Sequence, residues 1–153
     1  MSEFKRILVV SRMIQTSRKA IQAGVSLAKK YNAELYVIHP IYNPFGLKGW
    51  SVGTLSLEKE YERILHDTRE ELSDLVEAER SKGMAITELV TEGEPTEEIL
   101  KTVNEKQIDL LVMLAHEEGR LEHLLFDRSN EELIRKMPCS IILIKKEPGS
   151  IVE

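Results

Sequence analysis

Short apolar runs alternate with longer amphipathic stretches along the chain. The first of these runs is continuously apolar with β-branched residues, which is typical of a strand buried on both faces, and the third is less apolar than the others; all the runs have the length of a strand. They predict strands at Lys5–Ser11, Ala33–Pro40, Met84–Thr91, Ile108–Ala115 and Cys139–Lys145. Apolar residues at helical spacing predict helices between them, at Thr16–Tyr31, Leu57–Lys82, Glu97–Gln107 and Leu124–Met137. Asn32 and Gly83 are expected to end the first two helices, because both residue types tolerate a left-handed backbone.

This regular alternation predicts an α/β fold: a three-layer sandwich with a five-stranded parallel sheet and helices on both faces. A chain of 153 residues is expected to form one domain, which we assign to residues 1–147, with a loose tail at 148–153. Ligands of such sheets bind beyond the carboxyl ends of the strands. The expected rim comprises residues 11–16, 39–41, 91–96 and 115–128.

A segment of about 16 residues, Ile41–Ser56, joins the second strand to the long helix, which is unusual for a compact domain. It carries Phe45 and Trp50, the latter the only tryptophan. One interpretation is a lid or a docking patch for a protein partner. The other is that Trp50 folds back onto the long helix and the core.

Composition excludes several classes of function. The net charge of −5 argues against a binder of nucleic acid, which would normally present a basic face. A single cysteine excludes an intrachain disulfide and a cysteine-rich zinc site. No apolar run approaches the roughly 20 residues that span a bilayer, so we expect no membrane contact and a cytoplasmic location.

Several segments, in their order and spacing, resemble the universal stress protein family over nearly the whole chain. They are KRILVV at Lys5–Val10, NAELYVIHP at Asn32–Pro40, EGEPTEEIL at Glu92–Leu100, DLLVM at Asp109–Met113 and MPCSIILIKK at Met137–Lys146. The resemblance implies a Rossmann-like sandwich of the adenine nucleotide alpha hydrolase type. It also implies a stress-response or signalling module that acts through protein contacts.

Many members of that family form homodimers through their last strands. The resemblance therefore implies a homodimer that pairs through Ser140–Lys145. The expected contact residues are the apolar ones of that strand, Ile141, Ile142, Leu143 and Ile144. The identity of any other protein partner stays open.

The nucleotide-binding branch of the family carries Gly-x-x-Gly after the fourth strand, then about nine residues, then Gly followed by Ser or Thr. Aligned without a gap, those glycine positions fall here on Leu114, Glu117 and Asp127, and the hydroxyl position on Arg128. Side chains and carboxylates at these positions would crowd and repel a phosphate. We therefore interpret the ATP-binding motif as degenerate and expect neither ATP nor AMP as a cofactor in the usual mode.

An altered pocket for an anion or nucleotide is the alternative. Arg12 stands where nucleotide binders usually have an acidic residue, and Arg120, Arg128 and Ser129 lie in segments predicted at the rim. Guanidinium groups bind phosphate through paired donors. The competing interpretation is that these arginines pair with the abundant acidic residues nearby.

The remaining polar residues point to no catalysis. We expect Cys139 to be a packing cysteine and His39 a packing or capping histidine, although His39 could also reach a ligand at the rim. The chain has no Ser-His-Asp arrangement, Walker-type lysine loop or metal-ligand spacing. We therefore expect no metal site and no enzyme activity.

Overall fold

The computed structural model describes residues 4–11, 14–41, 55–115 and 124–145. Strands and helices alternate strictly along the chain, which confirms the predicted order. The elements are β1 (Arg6–Val10), α1 (Ile14–Tyr31), β2 (Glu34–Ile41), α2 (Leu55–Arg80), β3 (Ile86–Glu92), α3 (Pro95–Glu105), β4 (Leu110–Leu114), α4 (Leu124–Lys136) and β5 (Ser140–Ile144).

All pairings in the sheet are parallel, and the strand order is β3-β2-β1-β4-β5. On one side of β1 the chain adds β2 and then β3. It then crosses to the other side of β1 and adds β4 and β5. The reversal falls between β1 and β4, where Val9 lies in register with Val112. This is the topological switch point, beside which open α/β sheets bind their ligands.

Side chains of successive strand residues enter two separate hydrophobic cores, one on each face of the sheet. Ile7 and Val9 pack with residues of α1 and α2, whereas Leu8 and Val10 pack with residues of α3 and α4. All four are at most 3% exposed. The helices thus cover both faces, which confirms the predicted three-layer architecture.

The helix ends follow backbone chemistry. Asn32 (φ 55°) and Gly83 (φ 98°) take the left-handed conformation just after α1 and α2, so both predicted stops are confirmed. The third helix begins earlier than predicted, at Pro95 rather than Glu97. Proline suits the first helical turn, and the Glu94 carboxylate accepts a hydrogen bond from the Glu97 amide at 2.8 Å.

Helix α1 lies very close to the sheet at Gly24. A Cβ atom at this position would be 2.3 Å from Cγ2 of Val9, in the middle of β1. Only glycine permits this approach, so the helix and strand that precede the switch point are held at short distance.

Candidate functional site

The carboxyl ends of β1 and β4 form the walls of the candidate ligand crevice. Ser11 directly follows β1, and its amide donates to the carbonyl of Ile38 at 2.8 Å. Ala115 directly follows β4, and its amide donates to the carbonyl of Ile144 at 2.9 Å. The end of β1 is therefore hydrogen-bonded to β2, and the end of β4 to β5, on the two sides of the crevice.

A buried polar pair joins the ends of β1 and β2. The Ser11 hydroxyl lies 3.2 Å from Nδ1 of His39, and the residues are 0% and 6% exposed. Either group can donate, since the direction depends on the histidine tautomer. The contact agrees with the packing role expected for His39. Sequence reasoning did not foresee Ser11 as its partner, because the two are separated by a whole helix.

A second polar contact fixes α4 against the end of β4. The Asn130 side-chain amide donates to the carbonyl of Leu114 at 3.1 Å, and Asn130 is only 7% exposed. Its position three residues before the buried Leu133 places it on the core-facing side of the helix. Sequence reasoning missed this residue, and a polar amide on the apolar stripe was the signal that could have found it.

Two residues of the predicted anion pocket belong to a described helix. Arg128 and Ser129 belong to α4, whose Asn130 contacts the end of β4. The side chains of Arg128 and Ser129, and the whole of Arg12 and Arg120, lie outside the described residues. The predicted docking residues Phe45 and Trp50 also lie outside them.

The predicted dimer strand is an edge of the described sheet, where β5 is hydrogen-bonded to β4 alone. Ile142 and Ile144 pack partly on the core beneath α1, and Ile141 packs partly on the other core. Leu143 is 47% exposed, although its register partner Met113 is 1% exposed. The edge position agrees with the pairing strand that the resemblance implied, and in the described sheet no strand lies on the outer side of β5.

The opposite edge is built differently. Two guanidinium nitrogens of Arg80, Nε and Nη2, donate to the carbonyl of Ile86 at 3.2 and 2.6 Å. Nη1 of the same residue pairs with the Glu88 carboxylate at 3.1 Å. The Ser73 hydroxyl also donates to Glu88, at 3.3 Å. These contacts between α2 and β3 were not predicted, since a charged helix face is usually only solvated.

Cys139 directly precedes β5 and is half-buried against the core of α3 and α4. Burial raises the pKa of its thiol to about 11, and the nearby Asp109 carboxylate adds to the effect. The thiolate, which is the nucleophile and metal ligand, is therefore disfavoured at neutral pH. The expected packing role of Cys139 agrees with this environment.

Asp109 has a structural task at the amino ends of the strands. Its carboxylate accepts hydrogen bonds from the amides of Lys5, at 2.9 Å, and Arg6, at 3.1 Å. These bonds hold the start of β1 next to the start of β4. In the part of the chain that the structure describes, no three histidine, cysteine or acidic side chains are placed to share a metal ion. Nor does any helix in those ranges have the length and apolarity to cross a bilayer.

Sequence comparison relates the chain to proteins of similar length. The profile described as "Universal stress protein family" matches residues 3–145. Universal stress protein MJ0531 of Methanocaldococcus jannaschii is 27% identical over 145 residues, which cover 94% of this chain and 83% of that protein. Universal stress protein YxiE of Bacillus subtilis is 23% identical over 147 residues, which cover 93% of this chain and 99% of that protein.

Solved structures share the fold. The structure of the M. jannaschii protein MJ0577 superposes with a TM-score of 0.73 at 17% identity, covering 97% of this chain and 100% of that one. A universal stress protein from Archaeoglobus fulgidus in complex with dAMP gives 0.64 at 18% identity, covering 95% and 100%. Another, in complex with cAMP, gives 0.60 at 15% identity, covering 94% and 98%.

Proposed function

The chain belongs to the universal stress protein family of stress-response proteins, and we propose that it works as a homodimer that joins through β5. In this proposal it acts in the cytoplasm through contacts with other proteins, by binding rather than by turnover, and does not take ATP in the family's usual mode. The observation that carries the proposal is that β5 is uncharged and has a single neighbour among the described strands.

The chemistry of β5 favours pairing with another strand. Ser140–Ile144 contains no charged residue, no proline and no glycine, and every residue of it is at least partly exposed. Natural sheets usually protect an exposed edge with charges, proline or a bulge. A second copy of β5 would satisfy the free backbone groups and bury Leu143.

Helix α4 and the residue that follows it, Met137, carry further exposed apolar surface. Ile134 is 41% and Met137 is 59% exposed, and with Leu143 they are the large exposed apolar residues of the described chain. Antiparallel pairing of two β5 strands about a two-fold axis perpendicular to the sheet leaves both α4 helices on the same face. A strand pair alone falls short of the roughly 1,200 Å² of a stable interface, so Ile134 and Met137 are needed to complete it.

The environment of Leu114 supports the absence of the usual ATP mode. Leu114 stands where the nucleotide-binding branch has its first glycine, and its side chain packs against the core beneath α1. Its carbonyl accepts the hydrogen bond from Asn130. A phosphate group would therefore meet a packed side chain instead of a glycine backbone.

Sedimentation of the purified protein tests the dimer. We expect a monomer–dimer equilibrium, and Leu143→Lys should shift it to monomer because a lysine would be buried without a partner. Thr87→Lys, which adds the same charge at an exposed site of β3, is the matched control and should leave the equilibrium unchanged. A wild-type protein that stays monomeric at all concentrations would overturn the dimer.

The second candidate is a sensor that binds an adenine nucleotide or another anion at the carboxyl ends of the strands. The structural neighbours in complex with dAMP and cAMP favour it, because they carry nucleotides on this fold. The contacts would be Arg12, Arg120, Arg128 and Ser129.

Mass spectrometry of small molecules released from the native protein, followed by calorimetric titration with Mg-ATP, separates the candidates. Released nucleotide or micromolar binding would support the sensor, and its loss in Arg12→Ala and Arg128→Ala would locate the site. Absence of released nucleotide and of heat at millimolar ATP would support the protein-contact module.

A further inference from the structure

The described sheet has two edges, β5 and β3, and their chemistry decides how far copies can associate. If β5 pairs with the β5 of a second copy, the extended sheet ends in two β3 strands. A pair of open outer edges would allow further copies to join and would produce an open-ended assembly. The state of β3 therefore determines whether association stops at two chains.

Arg80 occupies a backbone acceptor that an added strand could use. The Ile86 carbonyl, at the start of β3, accepts hydrogen bonds from Nε and Nη2 of Arg80. A carbonyl oxygen has two lone pairs, so both are taken by one guanidinium group. An incoming strand would have to displace Arg80, which is also held by Glu88 at 3.1 Å and by Glu77 at 3.4 Å.

Glu88 adds charge at the middle of the same strand. Its side chain is 24% exposed, and its carboxylate pairs with Arg80 and accepts a hydrogen bond from Ser73. A strand that displaced Arg80 would leave this carboxylate half-buried and without its cation. Two copies of β3 side by side would also bring together the carboxylates of Glu88 and Glu92, and like charges on adjacent strands are destabilising.

From these contacts we infer that Arg80 and Glu88 close the β3 edge to strand addition, so that association through β5 ends at a pair of chains. The occupant that this edge rejects is a further copy of the same chain. The inference rests on the proposed dimer and extends it, since it concerns the edge that the dimer leaves outside.

The test replaces the two side chains that close the β3 edge and measures the size of the assembly. The double variant Arg80→Ala/Glu88→Val lacks the guanidinium and the carboxylate and gains a β-branched residue. We expect it to form species larger than a dimer, whose mass in sedimentation velocity grows with protein concentration. Arg63→Ala/Glu60→Val removes an exposed ion pair of the same helix, roughly five turns before Arg80. This control should keep the wild-type distribution.

The same double variant in a Leu143→Lys background separates this inference from the proposed dimer. With β5 blocked and β3 opened, we expect a dimer through β3 instead of a larger assembly. If the wild-type chain is monomeric, the proposed dimer fails, but Arg80→Ala/Glu88→Val alone should then dimerise. A folded double variant with unchanged mass in both backgrounds would overturn the closure.

Hydrogen exchange of the wild-type protein gives a second measurement that needs no variant. As the protein concentration rises, the amides of β5 should gain protection and those of β3 should not. Protection of β3 amides that increases with concentration would overturn the inference, even if the double variant does not fold.

Discussion

The two edges of the described sheet are both strands with a single parallel neighbour, but their side-chain chemistry is opposite. At β3, Arg80 covers a carbonyl and pairs with a carboxylate of the strand. At β5, the strand reads Ser-Ile-Ile-Leu-Ile and leaves Leu143 47% exposed. In the proposed dimer, side chains from a neighbouring helix, rather than the strand's own hydrogen-bonding capacity, decide which edge is available to another chain.

The largest expected effect is on the free energy of unfolding, and it compares the two hydrophobic cores on opposite faces of the sheet. Leu133 of α4 and Leu72 of α2 are both 0% exposed, on opposite faces of the sheet. Each leucine-to-alanine change should lower the free energy of unfolding by about 2–5 kcal/mol in urea titrations of the monomer. Only Leu133→Ala should also weaken self-association, because α4 belongs to the proposed dimer interface. Equal weakening by Leu72→Ala would contradict the comparison.

Cys139 reports on the open edge because it directly precedes β5. Its pKa of about 11 against an ordinary 9.0 lowers the thiolate fraction at pH 8 about 100-fold. Alkylation by iodoacetamide should be slower than in the urea-unfolded chain by a similar factor, and slower still in the proposed dimer. Equal rates in the folded and unfolded chain would contradict the buried environment.

The same pKa shift fixes the direction of a pH effect on stability. The folded state holds the thiol proton more tightly, so the stabilising contribution is fully present below pH 9.0. It is lost as the pH rises toward about 11, because the unfolded chain releases its proton first. Cys139→Ser should remove this part of the alkaline destabilisation in thermal unfolding.

Asn130 fixes α4 to the end of β4, the strand that neighbours β5. Asn130→Ala should leave the Leu114 carbonyl without this donor and lower the free energy of unfolding by about 1–2 kcal/mol. Asn104→Ala, at an exposed position of α3, is the matched control. A change no larger than that of the control would show that the hydrogen bond does not hold the helix.

The smallest expected effect is on the dissociation constant of the proposed dimer, and it measures how much α4 contributes to the interface. Ile134→Ser removes exposed apolar surface, and we expect the dimer dissociation constant to rise about fivefold, or about 1 kcal/mol. Arg135→Ala, the next residue along the helix, should change it less, since its pairing with Glu131 is exposed. An unchanged constant in Ile134→Ser would restrict the interface to the β5 strand.

Much of the fold could be predicted from local pattern. The boundaries of α2 and α3 moved by about two residues, because Leu55 and Pro95 begin their helices before the first strongly periodic apolar residue. The candidate site was less predictable. Ser11 and His39 meet across adjacent strands, and Asn130 reaches the end of β4, so neither contact leaves a local signature.

By itself, the sequence determined the alternation of strands and helices, and with it the parallel sheet and the family. The physical reason is that burial on one or two faces imposes a period that can be read along the chain. Only the tertiary structure decided that β3 is the edge opposite β5 and that Arg80 reaches the Ile86 carbonyl. Lateral strand order is set by crossovers that join distant segments, and the same apolar run is buried or half-exposed according to which strand lies beside it.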